Sequence, residues 1–337
     1  MTRPLLATLF AFALALPASA QDDRIDGSIF APGAELRTLY DGGTFTEGVA
    51  VAPDGAIWFV DNRVTRGPGD PMGRTLRHDP DTGATTVEIS PNGQVNGQKF
   101  DADGDLVMAS RAGFGTRALV RLDLDTREAT LVAGMWDGDR LNGLNDLAIA
   151  PDGTIFFTDP RYIGPEPIEQ PHYGVYAVTP EGEVRLVTPD VLKPNGVAVS
   201  PNGATLYVAE HFIGNQDFAA LPEGAAPAYG PMRVLAWDLD GAAIMGAPHV
   251  VVDYGTADGP DGMITDAAGN LYVATRAEPD WGIRVYAPGG AEVAFLPTPE
   301  KPTNVAFGTG ADAGTLYVTA GGALLAVETM QTGWTAE

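Results

Sequence analysis

The sequence predicts an all-β fold: a six-bladed β-propeller with four-stranded blades around a central channel. Three observations carry this. One phrase recurs six times: "EGVAVAPDGAIWFVD" from Glu47, "NGQKFDADGDLVMAS" from Asn96, "NDLAIAPDGTIFFTDP" from Asn145, "NGVAVSPNGATLYVAE" from Asn195, "DGMITDAAGNLYVAT" from Asp261 and "TNVAFGTGADAGTLYVT" from Thr303. The copies lie roughly 50 residues apart, with one longer gap after Asn195, a period typical of propeller blades. No long amphipathic helical pattern appears after residue 33.

Each repeat can be read element by element. Apolar residues alternate at its start, as at Val49 and Val51, Leu147 and Ile149, Val197 and Val199, and Val305 and Phe307. Alternation of that kind marks a strand with one buried face. Pro-Asp-Gly or a similar turn follows, then a β-branched and aromatic run such as "IWFV" or "TLYVA". Outer strands come next: "TLRHD", "LVRLDLD", "GVYAVTP", "RVLAWDLD" and "IRVYAP". The segment "ELRTLY" (35–40) precedes the first repeat and is expected to give the last blade its outer strand, closing the ring.

The chain divides into a signal peptide (1–20), an N-terminal extension (21–34), the propeller (35–330) and a tail (331–337). Arg3, the apolar run Leu5–Leu16 and the ending Ala18-Ser19-Ala20 form a secretory signal with cleavage expected before Gln21. The run is too short for a stable membrane anchor. An exported protein, periplasmic or secreted, is expected. It contains no cysteine, so thiolate chemistry and disulfides are excluded. A formal net charge of -24 argues against nucleic acid and anionic membranes as partners.

Aligning the repeats places Glu47, Asn96, Asn145, Asn195, Asp261 and Thr303 at one equivalent position, each with a side-chain oxygen. In a closed propeller such positions form a ring at one mouth of the channel. The residues that follow are Gly48, Gly97, Asp146, Gly196, Gly262 and Asn304, mostly types that tolerate a sharp turn into the strand. Asn and Asp also begin strands because their side chains bond nearby backbone. For Asn96 and Thr303 that local role is the simpler reading. It does not account for Glu47, nor for two carboxylates in one ring with three amides. Two carboxylates across a narrow channel repel unless a cation lies between them. Oxygen donors suit a hard divalent cation, Ca²⁺ first, with Mg²⁺, Mn²⁺ or Zn²⁺ as alternatives.

The second strand of each blade returns to the same mouth. Its ends are Asp61-Asn62, Arg111, Asp159, Glu210-His211 and Arg276. Long connections follow, including "NRVTRGPGDPMG", "PRYIGPEPIEQPHY" and "FIGNQDFAALPEGAAPAYGPM", and are expected to shape a pocket. Arg111, Arg161, Tyr162, His172 and His211 are candidates to face it. Of the chain's five Ser, none sits in a nucleophile elbow; there is no H-E-x-x-H, P-loop or dinucleotide fingerprint. If the chain is an enzyme, its residues support a metal-assisted hydrolysis, in which a cation polarises an ester-type or phosphoryl oxygen and a rim carboxylate accepts a proton from water.

"LNDLAIAPDGTIFFTDPRY", "KPNGVAVSPNGATLYVAEH", "GPDGMITDAAGNLYVAT" and "FTEGVAVAPDG" together resemble the SMP-30/gluconolactonase/LRE-like family, with bacterial gluconolactonases most similar. The resemblance runs from about Glu35 to the last strand. It implies a six-bladed propeller that hydrolyses lactones with a divalent cation. It implies Glu47, Asn195 and Asp261 as metal ligands, Asp261 as proton acceptor, and Asn145 near both metal and substrate. Asn96, Arg111, Arg161, His172 and His211 complete the candidate substrate-binding set. Asp146 and Asp159 are the next candidates for the base. Sugar-lactone members carry an Arg two residues before the third-blade Asn, where this chain has Gly143. The competing readings are a phosphotriesterase-like hydrolase on the same site and a non-catalytic exported propeller that binds a ligand or protein.

Overall fold

The computed structural model describes residues 28–62, 73–213 and 230–334. The proposed signal peptide and its cleavage point lie outside these residues, as do most of the 62–73 and 212–232 connections.

Six four-stranded antiparallel sheets radiate from one axis. The innermost strands are Thr46–Val51, Val95–Phe100, Leu147–Ile149, Pro194–Val199, Pro260–Thr265 and Pro302–Phe307. Each pairs with a second strand that is almost wholly buried, such as Ile57–Asp61 or Leu271–Thr275. Tight turns join the two; in blade three Gly153 N donates to Ala150 O at 2.9 Å, with Gly153 at φ +84°. A third and a fourth strand complete each sheet.

The ring closes as the sequence predicts. Arg37–Tyr40 is the outer strand of the blade built from Pro302–Phe307, Thr315–Ala320 and Ala323–Glu328. Folded structure also starts ahead of residue 35 and runs past 330. Ile29 and Phe30 are buried in the seam between the fifth and sixth blades, and Phe30 bridges to Thr329. Trp334 Nε1 donates to Thr265 Oγ1 at 2.8 Å.

The core is a set of six seams. Each of the six buried apolar clusters joins one blade to the next, as Trp58 and Val60 meet Val95, Leu106 and Met108. Burial of this kind drives folding without cysteines, since every blade buries both faces only when its neighbours are present. Among the described residues no helix is long and apolar enough to cross a membrane.

Candidate active site

A β-bulge at the start of each innermost strand builds the site. In five blades the pairing with the second strand slips by one residue across the first-position residue or directly after it: at Glu47/Ala50, Val95/Gly97, Pro194/Val197, Pro260/Met263 and Pro302/Asn304. In the third blade Asn145 N donates to Thr158 O while Thr158 N donates to Asp146 O, the same two-against-one arrangement. A bulge turns a side chain out of the regular alternation. Here it lets first-position side chains look along the axis instead of into a seam.

The glycines that follow are there for space. A Cβ on Gly48 would lie 2.0 Å from Asn96 O, and on Gly196 it would lie 2.2 Å from Asp261 O. Each innermost strand leans on the backbone of the next blade. Gly48 alone of the four ring glycines also has a left-handed backbone, φ +52°.

A cavity of about 660 Å³ opens at this mouth, and Glu47, Asn96, Arg111, Asn145, Asn195, His211 and Asp261 line it. Tyr162, Asp258, Arg276 and Lys301 line it too, with Phe45, Leu144 and Ile213 as apolar wall. Glu47, Asn195 and Asp261 are nearly sealed from solvent. Asn96 is tied in place, accepting from Asn62 Nδ2 at 2.9 Å and donating to Asn145 O at 3.3 Å. Thr303 departs from the ring. Its hydroxyl lies 2.7 Å from Thr46 O and 2.8 Å from Thr319 Oγ1, so it fastens strands, and Asn304 takes the axial place. Asn304 Nδ2 reaches Glu47 Oε2 at 3.4 Å and Asp146 Oδ2 at 3.3 Å.

Two candidate substrate contacts, Arg161 and His172, do not line this cavity. Arg161 is buried away from the cavity, where its guanidinium meets Glu166 Oε2 at 3.2 Å and Pro167 O at 3.1 Å and staples its own loop. His172 packs against Trp136 and Tyr176, its Nε2 3.3 Å from the Tyr176 hydroxyl. Both belong to a connection whose length outweighs its exposure to the mouth. Asp159 does not line the cavity either: its two oxygens accept from Asn142 N at 2.8 Å and Gly143 N at 2.7 Å. Asp61 and Glu210 clamp their loops the same way. Asp146 lies one layer below the cavity lining.

Sequence reasoning missed a rim cluster centred on Asp258. His211 Nε2 is 3.2 Å from Asp258 Oδ1, Lys301 Nζ 3.1 Å from Oδ2, and Arg276 Nε 3.5 Å from Oδ2. Arg276 Nη1 also reaches Asp261 Oδ2 at 3.3 Å. These groups come from three blades, so no local spacing announces them. The usable signal is an acid three residues before Asp261 and the strand-end position of Arg276. His211 Nδ1 donates to Pro260 O at 2.7 Å. Burial works against the Asp258 charge, yet His211, Arg276 and Lys301 hold its carboxyl well below the usual range.

The axial carboxylates behave oppositely. Burial, then the charges of Asp261 and Asp146, push Glu47 well above the ordinary carboxylate range. Burial raises Asp261 against the pull of Arg276, and raises Asp146 to about 6. Buried carboxyls that are each disfavoured as anions would be stabilised in their charged form by a nearby cation. Asn195 Oδ1 supports this, being buried with no hydrogen-bond partner. Among the described residues no three His, Asp or Glu side chains are spaced to hold a cation, so amide oxygens have to complete the donor set. Two carboxylates with Asn195 and Asn145 fit a hard divalent ion.

The family model described as the SMP-30/gluconolactonase/LRE-like region matches residues 45–215 and 230–322. The chain is 28% identical over 302 residues to a gluconolactonase of Zymomonas mobilis, covering 82% of this chain and 78% of that protein. It is 27% identical over 270 residues to a pentonolactonase of Haloferax volcanii, covering 80% and 81%. Among solved structures, a gluconolactonase of Xanthomonas campestris superposes with a TM-score of 0.73 at 29% identity, covering 94% of this chain and 97% of that one. With the matched region spanning all six blades, the chain belongs to the SMP-30/gluconolactonase/LRE-like family.

Proposed function

We propose that this protein hydrolyses lactones with a divalent cation, Ca²⁺ first among the candidates. The observation that carries the reading is the convergence of Glu47, Asn195 and Asp261 on one cavity, where two buried carboxylates and an orphaned amide oxygen are all part of the lining. The two enzymes named as relatives act on lactones, and the chain covers about four-fifths of each.

Glu47, Asn195, Asp261 and Asn145 would hold the cation. When bound, it supplies a Lewis acid for the ester carbonyl oxygen. Asp261 accepts the proton of the water whose oxygen bonds to the carbonyl carbon. The ring C–O bond then breaks, and the proton returns to the ring oxygen to give the hydroxy acid. Arg276, 3.3 Å from Asp261 Oδ2, orients that carboxylate and favours its charged form. Asp258 holds Arg276 and His211 in turn. Phe45, Leu144 and Ile213 give the lactone an apolar wall.

The specificity follows from Gly143. Its φ is +155°, and a Cβ there would lie 2.8 Å from Ala112 N, so no side chain fits. Arg111 lines the cavity close by, with Nη2 3.1 Å from Gln94 Oε1, and Arg161 does not line it. With no side chain at Gly143, Arg111 is the neighbour left to replace the missing arginine, and sugar-lactone discrimination should be weak.

Acid release should be followed over a panel of lactones with and without chelator. Chelator-sensitive hydrolysis is expected, with simple alkyl lactones turned over at least as well as glucono-1,5-lactone. Activity that survives exhaustive chelation would end the metal-dependent reading. A strong glucono-1,5-lactone preference that persists in Arg111→Met would end the specificity argument.

A further inference from the structure

The far end of the channel has a cavity of its own. Three residues after each position of the ring that begins with Glu47 stand Ala50, Lys99, Ala148, Ala198, Ile264 and Ala306. All six line a second cavity, of about 360 Å³, which shares no lining residue with the upper one. Its size falls within the range of small-molecule sites, roughly 300–1,000 Å³. Four alanines leave room at this level of the axis. Blade two alone puts a charge there.

That charge is poorly answered by the protein. Lys99 is half-buried, and its ammonium carries three donors. Nζ lies 3.4 Å from Val49 O, a long contact with a neutral acceptor. Among the described residues no carboxylate comes within ion-pair distance of it. The acid in the cavity wall, Asp101, is engaged elsewhere: Oδ2 meets Arg121 Nε at 2.8 Å, and Oδ1 accepts from Asp103 N and Asp105 N. The Thr265 and Thr309 hydroxyls donate to Val199 O and Ala52 O, and Trp334 Nε1 donates to Thr265.

An ammonium held partly out of water among apolar walls is costly until an anion reaches it. One ammonium balances one negative charge. A carboxylate meets that condition, whereas a phosphate dianion would bring uncompensated charge into the cavity. The alanines and Ile264 offer nothing to sugar hydroxyls and suit an aliphatic chain.

We propose that the lower cavity is a second ligand site, which takes a small aliphatic carboxylate with its head on Lys99 and its tail within the ring of alanines. The site is separate from the lactone reading and stands or falls without it.

Calorimetric titration of the full chain with octanoate tests this. Octanol supplies a tail without the charge, and acetate the head without the tail. All titrations contain chelator, so that no divalent cation in the upper cavity offers the carboxylate a second place to bind. Octanoate should bind about tenfold or more tighter than either control. Lys99→Met should weaken octanoate by about 30-fold or more, the usual scale for losing one partner of a desolvated charge pair. If Lys99→Met does not fold, Lys99→Gln, polar but uncharged, replaces it with the same expectation. Arg111→Met alters the upper cavity only and should leave octanoate binding unchanged. Octanol binding as tightly as octanoate would overturn the proposal, as would octanoate affinity that survives loss of the Lys99 charge or disappears in Arg111→Met. A wild-type protein that binds no octanoate would overturn it outright.

Discussion

Two adjacent rings of residues surround the channel axis, and they obey different rules. The first, Glu47, Asn96, Asn145, Asn195, Asp261 and Thr303, consists of oxygen-bearing side chains. The second, Gly48, Gly97, Asp146, Gly196, Gly262 and Asn304, is mostly side-chain-free. The first ring supplies chemistry because the second lets the blades approach. A Cβ on Gly262 would lie 2.4 Å from Asn304 Cγ, and one on Gly48 would lie 2.0 Å from Asn96 O. Where the second ring has a side chain, that side chain fills the axis: Asp146 and Asn304 face one another at 3.3 Å. Function and packing are thus divided between consecutive residues of one motif, blade by blade.

The largest effect should come from the first ring. Asp261→Asn keeps an oxygen ligand of similar size and cannot accept a proton. Turnover at saturating metal should fall by roughly 10²-fold or more, while metal binding weakens yet stays measurable. Near-wild-type turnover in the metal-loaded variant would move the base role elsewhere, to Asp146 in the layer below.

Glu47→Gln comes next. It preserves shape and removes one charge from a cavity whose lining includes one other first-ring carboxylate, Asp261. Calcium affinity should drop by about tenfold or more, with circular dichroism unchanged, because the six seams do not involve Glu47. Unchanged affinity would remove Glu47 from the ligand set.

The pH dependence tests the same ring without mutation. Burial holds Glu47 and Asp261 above the ordinary range, the charges of Asp261 and Asp146 raise Glu47 further, and Asp146 itself stands at about 6. A carboxyl with a raised pKa keeps its proton to higher pH, and a cation has to displace it. Affinity should therefore fall as pH drops through the raised range of these carboxyls, by up to tenfold per unit for each proton displaced. Calorimetry in buffers of different ionisation enthalpy should show proton release on binding. Affinity independent of pH between about 5 and 7 would contradict the raised values.

The second ring answers to packing. Gly196→Ala places a methyl 2.2 Å from Asp261 O, and a backbone oxygen cannot swing aside as a long side chain can. A loss of about 1–3 kcal/mol in unfolding free energy is expected from overpacking. Denaturant melts that match the wild type would show the blades are looser than this geometry says.

Much of this was legible in the sequence because it repeats. Six copies of one phrase reveal strands, turns, blade number and ring positions, and the closing strand follows from a segment left without a blade. Glu47 stood out because turn chemistry does not explain it. What could not be read depends on contacts between blades. Asp258 collects partners from blades four, five and six, and their spacing in the chain carries no trace of this. Arg161 and His172 looked available because they occupy a long connection, yet Glu166 and the Trp136–Tyr176 pair hold them away from the mouth. The bulge is the subtler case. It decides which of two neighbouring residues looks along the axis, and alignment by repeat selected Thr303 where the fold uses Asn304.

Thr303 gives the smallest and sharpest test of the division between rings. By alignment it belongs to the ligand ring; by its contacts it belongs to the packing. Its hydroxyl bridges Thr46 O in the first blade and Thr319 in its own, at 2.7 and 2.8 Å, across the seam where the chain closes on itself. Thr303→Val keeps the branched shape and removes the bridge. The carbonyl of Thr46 then loses a buried partner, which should cost about 1–3 kcal/mol of stability. Metal affinity and kcat/KM should stay within about twofold, because the valine meets neither the cavity nor Glu47; a change of that size corresponds to well under 1 kcal/mol. A variant of wild-type stability with weakened metal binding would return Thr303 to the ligand ring and deny that the sixth blade uses its second residue where the other blades use their first.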